Sequence, residues 1–325
     1  TFVKIILFDK LILLFFILIL IIWGINNYSL YIYACLTSKL ISLLYCLATI
    51  RDFFTVKVHF SKYLLCEYFD NIRVGVNLLF ANIASLLLIG ASRFIIDKYW
   101  GLIVFGKVSL MLSVVNFFIV FLSQIGIVMF PLIKKMNEQN RNMIYVSSYL
   151  LIDVFFLSVL LFYLPINYIL IRWLPQYEDS IGYLIFLLPI CIFEGKNQIL
   201  LNPYLKSYRK ERLFLYANLL ALAVSLICSL LGVYLNSINI VLLSILTSIV
   251  IKNIITTIYL NKIFELKLFE SSLFAIIYVA SFIFLNAKEM SILSFIVCLL
   301  LYSVFIMKNR IQIKRAFLII KNHYK

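Results

Sequence analysis

The residues able to do chemistry in this chain are few and scattered. Gly101-Leu-Ile-Val-Phe-Gly106-Lys107 has the Gly-x4-Gly-Lys spacing of a phosphate-cradling loop. The next position should be Ser or Thr to hold magnesium, but it is Val108, the intervening residues are apolar, and a long apolar run follows. The run reads as a tight turn opening a helix. The only histidines, His59 and His323, have no imidazole, thiol or carboxylate at ligand spacing, so neither a metal site nor a nucleophile–histidine arrangement is expected. Cys35, Cys46, Cys66, Cys191, Cys228 and Cys298 show no CxxC pattern and read as packing residues. Asn27-Tyr28-Ser29 fits a glycosylation sequon only formally.

What remains is charge embedded in hydrocarbon-like sequence. Lys39, Arg93, Asp97, Lys107, Asp153, Glu194, Lys196 and Lys252 lie within or beside long apolar runs, where an ionised group is costly and marks function by default. Each also has a plainer explanation. Arg93 and Asp97, four apart, would pair on one helix face. Lys107, Lys196 and Lys252 fall near run ends, from which a long side chain can snorkel. Asp153 and Lys39 sit mid-run, and Asp153 has no partner nearby in sequence.

The elements carrying these residues follow from composition. Of 325 residues, 64% are apolar, against 29 Lys+Arg and 14 Asp+Glu. A soluble globule would leave much of that surface in water and aggregate. Soluble enzymes, disulfide scaffolds and disordered tails are excluded, and the fold class is all-α, a polytopic transmembrane helix bundle. At about twenty residues per crossing, about ten spans are expected, near 8–26, 30–50, 73–92, 103–130, 143–164, 181–200, 214–234, 239–260, 271–286 and 291–307. Pro131, Pro165 and Pro203 mark run ends, while Pro189 lies inside the sixth run and should kink it.

A +15 net charge would suggest nucleic acid in a soluble protein; here the positive-inside rule accounts for it. With the N-terminus cytoplasmic, 23 of the 29 Lys+Arg fall on inner segments and five on outer ones. Both termini are then cytoplasmic. The connecting segments, the longest being 51–72 inside and 165–180 outside, leave no room for a soluble catalytic domain.

The stretch 60–218 resembles the Wzx-type oligosaccharide flippases of bacterial O-antigen and capsule pathways, polysaccharide biosynthesis proteins in the superfamily of the MATE exporters. The resemblance lies in a basic connector leading to Asn82-Ile-Ala-Ser-Leu-Leu-Leu-Ile-Gly90, then Arg93-Phe-Ile-Ile-Asp97, Trp100-Gly101 and Phe105-Gly106. It continues through Phe130-Pro131-Leu132-Ile133-Lys134-Lys135, Trp173-Leu174-Pro175-Gln176-Tyr177, Leu188-Pro189 and Asn202-Pro203-Tyr204-Leu205-Lys206, to Asn218. The family's Gly-x-Pro helix entry is Gly75-Val76-Asn77 here.

Aligned so, residues 1–50 are the last two helices of a first lobe and 51–72 an amphipathic cytoplasmic connector. Residues 73–260 are the MATE-like six-helix second lobe, 261–307 two extra C-terminal helices and 308–325 a basic cytoplasmic tail. Four leading helices are then absent, and with Thr1 in place of Met the chain resembles an N-terminally truncated member. The resemblance implies a non-enzymatic transporter of the bacterial inner membrane, without cofactor, metal or nucleic acid. It implies flipping of an oligosaccharide on undecaprenyl diphosphate by alternating access, with membrane lipids, a polysaccharide polymerase and a chain-length regulator as partners. Arg93, Lys107, Lys39 and Asp153 are then the cavity candidates, Arg93 and Lys107 facing the diphosphate. Two other classes stay open: a MATE-type cation antiporter coupled through Asp153, and a polymerase- or ligase-type membrane enzyme, whose large external loop is missing.

Overall fold

The computed structural model describes residues 2–24, 27–49, 62–266 and 269–323. Among them there is no strand, and the chain divides into two compact units, Thr1–Tyr68 and Phe69–Lys325. His59 and half of the 51–72 connector, residues 51–61, lie outside the described residues, as does the side chain of His323.

The first unit holds α1 (Phe2–Ile22) and α2 (Tyr28–Thr49). The Asn27 carboxamide oxygen accepts the Ser29 backbone N–H at 3.1 Å, so the sequon asparagine acts as a helix-start cap. The two helices pack through the Phe8 and Tyr45 rings and through Ser38, whose hydroxyl donates to the Asp9 carbonyl at 2.9 Å.

From Phe69 on, α3 (Lys62–Lys135) belongs to the second unit; it runs across two of the expected spans, and its one non-helical residue is Gly101, with φ 78° and ψ 173°. That backbone region is essentially restricted to glycine, so the turn read from the Gly101–Lys107 run is made at Gly101 itself, and helix resumes directly after it. The segment 93–100, expected as a connection, is helical.

α4 (Glu138–Val159) and α5 (Tyr163–Trp173) follow, joined by a 3₁₀ turn; α5, a second 3₁₀ turn and α6 (Glu178–Ile181) take up 165–180, which reads in sequence as the longest outer loop. Next comes a run broken twice. α7 (Leu184–Leu187) stops at Leu188-Pro189, where proline has no N–H to continue the ladder. α8 (Ile190–Lys196) then loosens into a π-helical turn over Asn197–Leu201 before α9 (Asn202–Ser207). At Pro189, where a kink is expected from sequence, the α-helical ladder is interrupted and Cys191 and Ile192 donate three residues back, to Leu188 and Pro189. Of the 18-residue apolar stretch at the heart of span Leu184–Ser207, 89% is buried inside the protein. Irregular backbone at membrane depth is tolerated only in such surroundings.

α10 (Glu211–Tyr234), α11 (Ile238–Phe264), α12 (Phe269–Ala287) and α13 (Ser291–His323) complete the unit. A serine seam joins α3, α10 and α11: Ser92 lies 3.1 Å from Ser225, and Ser229 lies 2.7 Å from Ser244. Small hydroxylated residues let helices approach closely where lipid supplies no hydrophobic drive between them.

The two C-terminal helices, expected as appendages, are part of the core. The Tyr278 hydroxyl of α12 donates to the Leu157 carbonyl of α4 at 3.1 Å, and Phe305 of α13 stacks on Phe274. One apolar core runs from Met111 and Leu112 on α3 through Phe193 on α8 to Ile245 on α11; a second, aromatic one gathers Tyr145, Tyr149, Tyr204 and Phe264.

Outward faces are apolar in turn: Leu86, Phe117 and Phe121 on α3 are each more than 70% exposed. Among the described residues eight helices are long and apolar enough to cross a membrane, one of them being the Gly101-broken α3.

Candidate functional site

Two carboxylate–ammonium pairs meet on α8, whose Glu194 and Lys196 are two residues apart and bond to different neighbouring helices. Lys196 reaches Asp153 of α4, with Nζ 2.7 Å from Oδ1 and both side chains almost wholly buried. The second Asp153 oxygen accepts the Ser271 hydroxyl of α12. The Lys196 ammonium also sits 3.4 Å from the Tyr149 ring centroid, and the Tyr149 hydroxyl lies 2.6 Å from that of Ser272. Each charged group here has short contacts on several sides, the condition under which a buried pair holds without net penalty.

Glu194 turns the other way. Its Oε2 lies 3.3 Å and its Oε1 3.5 Å from the Lys252 ammonium of α11. Gln198 donates to Oε1 at 2.7 Å and Asn197 to Oε2 at 3.2 Å, both from the π-helical turn. Asn253, next to Lys252, donates to the Asn197 side-chain oxygen at 3.0 Å and so ties α11 to the same turn. The turn is held close to α3 by Gly126: a Cβ there would stand 2.1 Å from the Gln198 carbonyl oxygen.

Between α3, α8 and α11 lies a cavity of about 420 Å³, lined by Arg93, Glu194 and Lys252, by the polar side chains of Ser85, Asn116 and Gln198, and by apolar residues such as Ile89 and Ile249. Apolar walls with a few convergent polar groups are what ligand pockets share. The Arg93 Nε is buried there without a hydrogen-bond partner. Gln198 also lines a neighbouring cavity with Asn202 and Lys206, and Lys206 a third with Lys134 and Arg209. Polar and basic side chains therefore continue from the central cavity to the end of the unit that carries Lys134 and Arg209.

Of the residues expected in a cavity, Arg93 is there. Lys107 is not: its ammonium pairs at 3.0 Å with Asp179 of α6, away from the cavity lining. Asp153 is consumed by Lys196 and Ser271 and is likewise not part of that lining. Lys39 belongs to the first unit, where it is largely exposed and 4.0 Å from Asp9. Arg93 and Asp97 do not pair; Asp97 is exposed while Arg93 turns to the cavity. Lys196 and Lys252 do not snorkel. They are 2% and 1% exposed and do not belong among loop charges. The Lys252–Glu194 pair escapes any spacing rule, since it joins two helices, whereas Gln198 bonds Glu194 four residues before it, a spacing open to sequence reading. The balance of two cations and two carboxylates inside apolar runs is the signal that they pair.

The described residues hold no cluster of three or more His, Cys, Asp or Glu placed for a metal ion. All six cysteines are free.

Fold and site together define an all-α bundle of long apolar helices, dimensioned to span a membrane, with a charged cavity inside its second unit. The chain matches no protein-family model, no curated protein and no solved structure.

Proposed function

We propose that the unit Phe69–Lys325 forms one wall of a passage for a diphosphate-linked glycolipid, and that the protein takes part in flipping an undecaprenyl-diphosphate-linked oligosaccharide across the bacterial inner membrane. The observation that carries this reading is the joint presence of Arg93 and Lys252 in one cavity among lipid-length helices. A guanidinium binds phosphate oxygens in pairs and an ammonium as a point charge, both far more strongly in a space with little water. Ser85, Asn116 and Gln198 offer donors and acceptors suited to sugar hydroxyls.

In this reading the first arm of α3 and the second, divided at Gly101, are separate crossings, and both chain termini face the cytoplasm. The basic end with Lys134, Lys206 and Arg209 is then cytoplasmic, where the headgroup enters. Two negative charges moving outward across an inside-negative membrane gain ~4–5 kcal/mol per 100 mV. The broken run α7–α9 fits the discontinuous helices at which transporters place their substrate sites. Alternating access would set this wall against a facing lobe; binding to the wall is the property tested first.

The test is binding of a prenyl-diphosphate disaccharide to the purified chain in nanodiscs, read by native mass spectrometry. Arg93→Gln combined with Lys252→Gln should weaken binding by roughly a hundredfold, the loss of two charge-assisted contacts. Lys107→Gln should leave it unchanged. Failure of the unsubstituted chain to bind, or equal binding by the double variant, would overturn the reading.

A further inference from the structure

The two ion pairs on α8 differ in a way that separates a structural bond from an exchangeable one. Asp153–Lys196 is short, shielded, satisfied on every side and remote from the cavity lining. Glu194–Lys252 is also buried, with side chains 9% and 2% exposed, but it is longer and it lines the cavity. Its contacts of 3.3 and 3.5 Å are long for a charge-assisted hydrogen bond, which favours about 2.7–2.9 Å. The third contact of Lys252, to the Ser85 hydroxyl, is 3.4 Å. Ser85, Glu194 and Lys252 all line the cavity.

Two further details bear on what could enter. Glu194 keeps hydrogen bonds from Gln198 and Asn197 whether or not Lys252 is beside it, so the carboxylate is not orphaned if the ammonium swings away. In the same cavity the Arg93 Nε is buried with no acceptor. Two cations and one carboxylate face this space, an arrangement that a singly charged group already balances. A diphosphate, with at least two charges and several oxygens, is matched only once Glu194 gives up its claim on Lys252.

We propose that Glu194 is an internal counter-ion that competes with the incoming anion for Lys252 and thereby selects diphosphate over monophosphate. Resting on the proposed binding of a diphosphate-linked lipid, this assigns Glu194 as a specificity-determining residue. A multidentate diphosphate bridges Arg93 and Lys252 and displaces the carboxylate. A monophosphate reaches one cation and leaves the other with Glu194. Because Glu194 belongs to α8 and Lys252 to α11, binding would also remove one tie between these helices, leaving those of Asn253 to Phe193 and Asn197, while Asp153–Lys196 keeps α8 fixed to α4.

The prediction runs against ordinary expectation, since deleting a polar cavity residue should tighten binding. The chain in nanodiscs is titrated with inorganic phosphate, inorganic pyrophosphate and farnesyl diphosphate, before and after Glu194→Gln. Glu194→Gln is expected to tighten pyrophosphate or farnesyl diphosphate by roughly tenfold and phosphate by more, shrinking the preference for diphosphate. A gain with both diphosphates places recognition in the phosphates alone; a gain with farnesyl diphosphate only places it in a lipid. Glu194→Gln with Lys252→Gln should abolish the gain.

Unchanged or weaker binding by Glu194→Gln, with the unsubstituted chain binding, overturns this proposal and leaves the proposed function standing. Absence of binding by every chain to every probe overturns both. If Glu194→Gln does not fold, Glu194→Asp, which withdraws the carboxylate by one methylene, should tighten binding in the same direction, and its failure to do so counts equally against the proposal.

Discussion

Asp153 and Lys196, forty-three positions apart, close a 2.7 Å ion pair whose side chains are 2% and 3% exposed. The pair locks α8 to α4, and Ser271 extends the lock to α12. Removing one partner strands the other charge in an apolar interior. Asp153→Asn or Lys196→Met alone should therefore destabilise the detergent-solubilised chain by about 3–5 kcal/mol. Replacing both, as Asp153→Leu with Lys196→Met, should restore most of that loss. Thermal denaturation of the four proteins measures the difference, and additive losses would contradict the pairing.

Gly101 and Gly126 are needed for different reasons, and alanine should distinguish them. At Gly101 nothing lies within 4 Å of an added Cβ, so Gly101→Ala meets only the strain of φ 78°, about 1–3 kcal/mol. At Gly126 the added carbon would collide with the Gln198 carbonyl oxygen at 2.1 Å and push the π-helical turn away from α3. Gly126→Ala should cost a similar 1–3 kcal/mol, yet it alone should also weaken diphosphate binding. Equal ligand affinity in the two variants would separate the π-helical turn from the site.

The serine seam gives a third expectation. Ser229 lies 2.7 Å from Ser244 and 3.4 Å from Ser92, and is fully buried between α3, α10 and α11. Ser229→Ala removes membrane-depth hydrogen bonds averaging about 0.6 kcal/mol each and should be mild. Ser229→Leu must instead wedge the helices apart, at about 1–3 kcal/mol. A milder effect of leucine than of alanine, by the same denaturation measurement, would mean that the seam is not close-packed.

Lys107 supplies a control at the far side of the unit. Its partner Asp179 is 84% exposed, and such pairs contribute about 0–1 kcal/mol. Lys107→Gln should leave both stability and ligand affinity near those of the unsubstituted chain. A large loss of affinity would return Lys107 to the site.

The helices were legible because apolar runs of membrane length leave few alternatives, and the Pro189 break because proline cannot continue a ladder. Turn lengths were less so. Residues 93–100 carry six charges or aromatic rings that suggest a loop, but helix persists to Trp100 because only Gly101 reaches the required backbone angles. The site was half legible. Arg93 stands out by type alone, whereas Lys252 resembles a snorkelling end-of-run lysine, and no spacing within α11 points to Glu194. Pairings between helices depend on how the helices pack, and local periodicity carries no record of that. Lys107 misled for the converse reason: the family resemblance put its helix on the cavity wall, while Asp179, seventy-two positions on, takes its charge.

The central claim is that the cavity lined by Arg93, Glu194 and Lys252 receives a diphosphate-linked glycolipid. Photo-crosslinking tests it most directly: a prenyl-diphosphate disaccharide with a diazirine on the first sugar is irradiated with the chain in nanodiscs, and the labelled peptides are sequenced. The account predicts labels on residues lining the cavity, among them Ser85, Asn116 and Gln198, suppressed by excess pyrophosphate. Labels confined to lipid-facing positions such as Phe117 and Phe121, unaffected by pyrophosphate, would contradict it.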